Sequence, residues 1–256
     1  MIMTSGQQYA IAAASPDKMF LDGVCSDTVG LYVDTPPMPP MAEENVIEYD
    51  VPGLSGKLNR KTGTYQDITI TVRCFVFDGG YHPGQIYKFL SNAKTLSFTR
   101  ATGYFYQVKK VLGVTPQYQT SGKNFLNVQF VCSPFRYRKQ NIPQAFSASP
   151  ANVYNMGNIY SEPVYRLTIK SDAQLAIFRV NGIALQILAN ALDTGTIVID
   201  IPRKKIYKES SGDVLTIVQQ YTSGAFWNMT LNHGANELTW NSEITSVEVT
   251  ANERWL

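Results

Sequence analysis

Two histidines, three cysteines and three tryptophans are the residues of this chain whose types could do chemistry. His82 stands beside Pro83, and His233 lies in an Asn232-His233-Gly234 turn. A hydrolase triad needs a base next to a nucleophile and oriented by a carboxylate, and a zinc site needs three or four ligands. Neither histidine has such neighbours at useful spacing, so the sequence predicts no catalytic residue and no metal site. Gly53 and Gly56 lack the Gly-Lys-Ser/Thr ending by which a nucleotide loop cradles and neutralises phosphate. No pair of carboxylates stands out as acid and base. The expectation is a protein that is not an enzyme and uses no cofactor.

Cys25, Cys74 and Cys132 are far apart and lie within apolar or alternating runs. An odd count without paired spacing predicts buried thiols in a protein made in a reducing compartment, the cytosol. Ile11-Ala12-Ala13-Ala14 has no Lys or Arg before it and no long apolar run follows, so neither a signal peptide nor a membrane span is expected. The net charge of +2 gives no electrostatic reason to expect binding to nucleic acid or an anionic membrane, which usually needs a dense basic face. Arg136-Tyr137-Arg138-Lys139 forms a compact basic cluster, read either as a surface for an acidic partner or as the solvated start of a linker.

Trp227, Trp240 and Trp255 could stack sugar rings, with Asn228 and Asn236 as polar partners. Each tryptophan also lies in or beside an apolar strand pattern, and at least two of them are read as core or interface residues. Sugar or partner contact is therefore carried forward for Trp227, Asn228 and Trp240.

The elements that would position these groups are strands. Fifteen Tyr and twelve Phe, with many Val, Ile and Thr, are cut about every eight to twelve residues by Gly, Pro, Asn or Asp, which predicts a mainly-β chain. At 256 residues two cores are expected, each burying roughly two-thirds of its unfolded surface. The longest clear strand is expected from Ile68, with Ile68, Ile70, Val72, Cys74 and Val76 on one face and Thr69, Thr71 and Arg73 on the other. Before it come a shaped turn at Val51-Pro52-Gly53-Leu54-Ser55-Gly56 and a second turn at Lys61-Thr62-Gly63. Asp22-Gly23 predicts a tight hairpin between Met19-Phe20-Leu21 and Val24-Cys25. Thr35 to Met41 holds Pro36, Pro37, Met38, Pro39 and Pro40; four prolines exclude a helix or a central strand and favour an extended backbone. That strip is either a recognition surface for a neighbouring subunit or a stiff loop guarding a sheet edge.

Asp78-Gly79-Gly80 should stop the Ile68 strand, and Pro83 should open a short helix placing Ile86, Phe89, Leu90 and Ala93 on the sheet. Leu96 to Thr99 and Tyr104 to Leu112 read as a hairpin, and Phe125 to Cys132 as a closing strand that ends by Ser133-Pro134. Residues 1–18 are read as disordered or expression-derived, 19–139 as a first domain and 140–154 as a linker. Residues 155–256 are read as a second domain. There, Pro163 to Ile169, Leu175 to Val180, Ile183 to Leu188 across Asn181-Gly182, Thr196 to Ile199, Ile206-Tyr207, Phe226 to Leu231, Glu237 to Trp240 and Thr245 to Thr250 suggest a β-sandwich.

The order of these motifs resembles the distal tail protein (Dit) family of siphovirus-type bacteriophages. It runs from Met19-Phe20-Leu21-Asp22-Gly23-Val24 through the Val51 to Gly56 turn, Tyr65-Gln66-Asp67-Ile68, the helix before Leu96-Ser97-Phe98, and Val131-Cys132-Ser133-Pro134-Phe135-Arg136-Tyr137. It continues with Asn155-Met156-Gly157-Asn158, Ser161-Glu162-Pro163, Ile197-Val198-Ile199-Asp200 and Gly234-Ala235-Asn236-Glu237-Leu238. The resemblance implies a β-sandwich-like ring domain with one short helix and a hairpin, followed by a galectin-like or carbohydrate-binding-module-like β-sandwich. It implies a virion structural protein at the distal end of the tail, assembled in the host cytoplasm, whose homo-hexamer joins the tail tube to the host-adhesion apparatus. In isolation two rings could stack back to back as a dodecamer.

The partners implied are the tail tube protein, the tape-measure protein, a tail-associated lysin or tail fibre hub, and receptor-binding or baseplate proteins. A closed ring uses two different patches per subunit, which points to Pro36, Pro37, Met38, Pro39, Pro40, Pro52, Gly53, Leu54 and Gly56 as candidate ring contacts. The alternative function is a carbohydrate-binding module on host cell-wall polysaccharide. Against it, galectins present His-x-Asn-Pro-Arg and Trp-x-x-Glu-x-Arg strands, whereas here Gly234 follows His233 and Asn228-Met229-Thr230 follows Trp227. Without such polar groups a site cannot readily orient a polyol.

Overall fold

The structure, a computed structural model, describes residues 17–77, 82–120, 122–189, 195–209 and 215–256. It is mainly β, and the chain divides into two compact units, one running to Lys139 and one from Gln140 to Trp255. Of the lead-in expected over residues 1–18, residues 1–16 lie outside the described residues. Asp17 and Lys18 already belong to the fold. Asp17 is buried with its carboxylate 2.9 Å from Arg100 Nε, and the Lys18 N–H donates to Thr99 Oγ1 at 2.7 Å.

The first unit is an antiparallel sheet whose middle is two long strands. β8 (Tyr104–Thr120) and β9 (Lys123–Arg138) pair along most of their length, and β9 also pairs β6 (Ile68–Phe77) over ten residues from Ile68↔Cys132 to Phe77↔Lys123. Outside them lie β7 (Thr95–Phe98), β1 (Met19–Leu21) and β2 (Val24–Cys25) on one side and β3 (Tyr32–Thr35) on the other. The alternation expected of β6 holds, since Ile68, Ile70, Val72, Cys74 and Val76 are all buried while Thr69, Thr71 and Arg73 are exposed. Leu126, Val128, Phe130 and Cys132 of β9 continue that buried face. The Pro83 helix, α1 (Pro83–Ser91), lays Ile86 and Leu90 on it.

Three expectations for this unit are corrected. β6 is not the longest strand, because β8 and β9 each exceed its ten residues. β9 does not end at Ser133-Pro134. It continues through Arg136, Tyr137 and Arg138 because a paired partner, Tyr104 to Tyr106, is available there. The basic cluster is thus mostly strand rather than linker, and Arg136 lies over the Tyr104 ring at 4.7 Å. The Asp78-Gly79-Gly80 stop lies outside the described residues.

The second unit is a β-sandwich. One sheet has the order β10 (Gln144–Phe146), β20 (Ile244–Thr250), β12 (Val164–Ile169), β15 (Gly195–Asp200), β16 (Lys205–Glu209), β17 (Leu215–Ile217). The other runs β11 (Ala151–Asn155), β19 (Gly234–Trp240), β13 (Leu175–Val180), β14 (Ile183–Leu188), β18 (Thr222–Ser223). Asn181 and Gly182, both at positive φ (49° and 83°), make the tight β13–β14 turn. Between the sheets Tyr165 and Phe178 pack edge to face at 5.1 Å, and the Tyr165 hydroxyl donates to the Met229 carbonyl at 2.9 Å.

The linker expected over residues 140–154 is also corrected, because β10 and most of β11 lie in it and pair β20 and β19. Phe226 to Leu231 is not a strand. Phe226–Asn228 is a 3₁₀ turn, which points Phe226 and Met229 into the core and Trp227 and Asn228 outward.

Burial pushes the thiols of Cys74 and Cys132 up to about 12, with the charges of Asp34 and Asp67 adding to the effect. Both thiols stay neutral in the fold but ionise near their ordinary value of 9.0 in the unfolded chain. Their contribution to stability is therefore complete below about pH 9 and is lost as pH rises toward 12. A thiol reagent at pH 8 should modify Cys25, which is only half-buried, and should reach the other two only on unfolding. Denaturant midpoints should fall from pH 9 upward, with a shallower alkaline slope in a Cys74→Ala, Cys132→Ala variant. Equal native-state labelling of all three thiols would contradict their burial.

Candidate assembly surface

Between β3 and β6 the chain leaves the sheet. The strip after Thr35 has no regular structure, as its prolines require, and Met38 is 95 % exposed. β4 (Glu44–Asp50) and β5 (Lys57–Tyr65) then pair with each other and with no other described strand. Val51-Pro52-Gly53-Leu54 closes the hairpin as a type II turn. Pro52 sets the first central residue, Gly53 takes φ 84°, and the Leu54 N–H donates to the Val51 carbonyl at 3.1 Å. Gly56, at φ 90°, leads into β5.

The second turn expected at Lys61-Thr62-Gly63 is instead a bulge inside β5. The register jumps from Val46↔Lys61 to Glu44↔Tyr65, Gly63 takes φ 72°, and Thr62 Oγ1 donates to the Asn45 carbonyl at 2.8 Å. A glycine between polar residues signals a bulge as well as it signals a turn, and only the pairing separates the two.

Register gives this hairpin two unlike faces. Residues opposite each other share a face, so Ile47↔Arg60 and Tyr49↔Leu58 make one, while Val46↔Lys61, Glu48↔Asn59 and Asp50↔Lys57 make the other. The second face is polar apart from Val46 and carries a Lys57–Glu48 ion pair at 2.7 Å, with Lys61–Glu44 at 2.8 Å beside it. The first is apolar. Ile47, Tyr49 and Leu58, with Val51 and Leu54 at the turn, are each 42–55 % exposed. A lone two-stranded hairpin is marginal in water, and covering each large apolar side chain stabilises by about 1.5–3 kcal/mol when burial is complete. The arrangement suits packing against another surface.

Of the candidate ring contacts, Pro52, Gly53, Leu54 and Gly56 thus sit at the exposed hairpin tip. Met38, Pro39 and Pro40 are exposed on the strip before it, and Pro36 and Pro37 are half-buried. Sequence reasoning missed Ile47 and Tyr49. Their signal was alternation with Glu48 and Asp50, which was short and sat next to a loop.

The candidate sugar contacts do not assemble into a platform. Trp240 is only 9 % exposed and belongs to the sandwich core, while Trp227 is 51 % exposed and Asn228 beside it is exposed. Asn236 is buried, and its amide bonds Asn181, Asn232 and Gly234. His82 is exposed at the start of α1, and His233 Nδ1 lies 2.6 Å from the Gly157 carbonyl oxygen, a structural tie within the second unit. Among the described residues, no three His, Cys, Asp or Glu side chains converge as metal ligands, and no helix is long and apolar enough to cross a membrane.

A Cβ at Gly53 or Gly56 would meet no neighbour, so the cost of alanine there comes from the backbone angle alone. Gly53→Ala and Gly56→Ala should each destabilise the hairpin by about 1 kcal/mol or more and weaken self-association, as read by scattering against concentration. Unchanged association in both variants would remove this turn from the assembly surface.

Compared with models of known protein families and with curated protein sequences, the chain matches none. Solved structures do match. The Dit (gp 19.1) protein of phage SPP1, described as a paradigm of the hub adsorption apparatus in phages infecting Gram-positive bacteria, aligns with a TM-score of 0.71 at 14 % identity, over 94 % of this chain and 100 % of that one. A chain of the phage p2 baseplate, in its activated conformation with Sr, aligns with a TM-score of 0.50 at 9 % identity, over 91 % of this chain and 96 % of that one. The chain therefore has the fold of the SPP1 Dit protein.

Proposed function

We propose that this chain is a structural hub of a siphovirus tail tip. Six copies close into a ring through their first units, joining the tail tube to the host-adhesion apparatus. The observation that carries this reading is the hairpin Glu44 to Tyr65. It offers an apolar face that its own sheet does not use, on a chain with the fold of a phage hub protein. A ring requires heterologous contact between two different patches, and a projecting arm supplies one of them. The hub is non-enzymatic and holds no cofactor. Its partners are the tube and tape-measure proteins, a tail-associated lysin or fibre hub, and receptor-binding or baseplate proteins docked on the sandwich unit.

Light scattering behind size exclusion tests this. With a 28.5 kDa chain, a hexamer is 6 × 28.5 = 171 kDa and a stacked pair of rings is 342 kDa. Leu58→Asp should return either species to monomer, because it places a charge at the centre of the apolar face without touching either core. A monomer at every concentration overturns self-assembly into a ring.

A second reading, a carbohydrate-binding module, is favoured only by the exposed pair Trp227 and Asn228. It expects saturable binding of host cell-wall polysaccharide that disappears in Trp227→Ala; binding indifferent to that substitution, or none, eliminates it.

A further inference from the structure

The first unit carries an apolar groove of about 400 Å³ between the β1–β2 hairpin and α1, with Leu21, Val24, Val29 and Phe89 on its walls and Asp22 and Lys88 beside them. Val24 is half-exposed there. The groove is firmly framed. The Asp22 carboxylate accepts from the Lys94 and Thr95 N–H groups and from Thr95 Oγ1, at 2.8 to 3.2 Å, which ties the β1–β2 turn to the start of β7. The same unit holds both this open groove and the exposed apolar face of the β4–β5 hairpin, so the chain's own arm does not fill its own groove.

We propose that the groove is the socket for that arm from a second copy, with Leu58, Tyr49 and Ile47 of one subunit entering between β1–β2 and α1 of the next. This rests on the ring reading and names the second patch such a ring requires. Three features fit the occupant. Both surfaces are apolar at their centres. The arm's apolar face carries Arg60, while the groove carries Asp22, so charges of opposite sign can meet. Arg60 has no ion pair among the described residues, so it need not abandon a partner on docking.

Val24→Cys and Leu58→Cys in one chain, on a Cys25→Ser background, test the contact with a short bis-maleimide. Cys74 and Cys132 are fully buried and should stay silent, and both new cysteines replace exposed residues. A denaturing-gel ladder reaching six chains, absent from either single-cysteine chain, is the expected result. A ladder that stops at two keeps the socket and overturns the ring. A 171 kDa particle (six 28.5 kDa chains) with no cross-link, or with a link only inside one chain, overturns the socket and leaves the ring. Monomer mass without any cross-link overturns both. As an independent arm, Arg60→Glu should lower the assembled fraction; an unchanged fraction counts against the pairing with Asp22.

Discussion

Backbone pairing along Lys123 to Arg138 is the interaction on which the first unit depends. Ten consecutive residues of this strand are matched by the Ile68 strand on one side, and the other side carries the 17-residue Tyr104 strand. In that register Ile70 faces Phe130 and Val72 faces Val128, so side chains from neighbouring strands meet on one face and leave the other to Thr71, Gln129 and Arg73. A slip of one residue would exchange the two sets entirely. Aromatic packing guards the far end of the pairing. Phe75, Phe125 and Tyr32 cluster on the opposite face, with Lys123 Nζ 4.3 Å from the Phe75 ring and the Arg73 guanidinium 5.1 Å from Phe125.

The second unit solves the same problem by closure. Two sheets cover each other's apolar faces, and the polar groups left inside are answered locally. Asn155, fully buried, donates to the carbonyls of Ile159 and Leu231 and accepts from the Gly157 N–H. Gly157 has no room for a side chain, since a Cβ would stand 2.3 Å from the Arg254 carbonyl oxygen. Arg254 is buried as well, donates from Nε to the Tyr160 carbonyl at 2.7 Å and lies 4.4 Å from that ring. These contacts fasten the segment around Gly157 to Arg254 within the second unit.

Strands whose alternation ran for five or more residues were legible in the sequence. Ile68 to Val76, Tyr165 to Ile169 and the Asn181-Gly182 hairpin could be read from side-chain period and turn chemistry alone. What escaped was everything decided by a partner strand. Arg136 and Arg138 look like a solvated linker until Tyr104 pairs beside them, and Gly63 looks like a turn until Val46 is set against Lys61. Residues 140–154, with their prolines and polar side chains, look like a spacer until two sheet edges are found to need strands. Trp227 and Trp240 were indistinguishable in sequence because both lie in or beside apolar strand patterns. One rides a 3₁₀ turn outward and the other fills the sandwich.

The hairpin Glu44 to Tyr65 has one further consequence, for timing. It pairs with no other described strand and carries a turn, a bulge and two ion pairs, so any partner that covers its apolar face would also fix its backbone. In the proposed ring each arm that docks would give up conformational freedom, and an open chain of subunits would recover little of it. On closure the final arm would meet its socket within the same particle, at an effective concentration far above that of free subunits. Partial arcs would then be short-lived and the complete ring long-lived, so such assembly would behave as a threshold event without any single contact being strong.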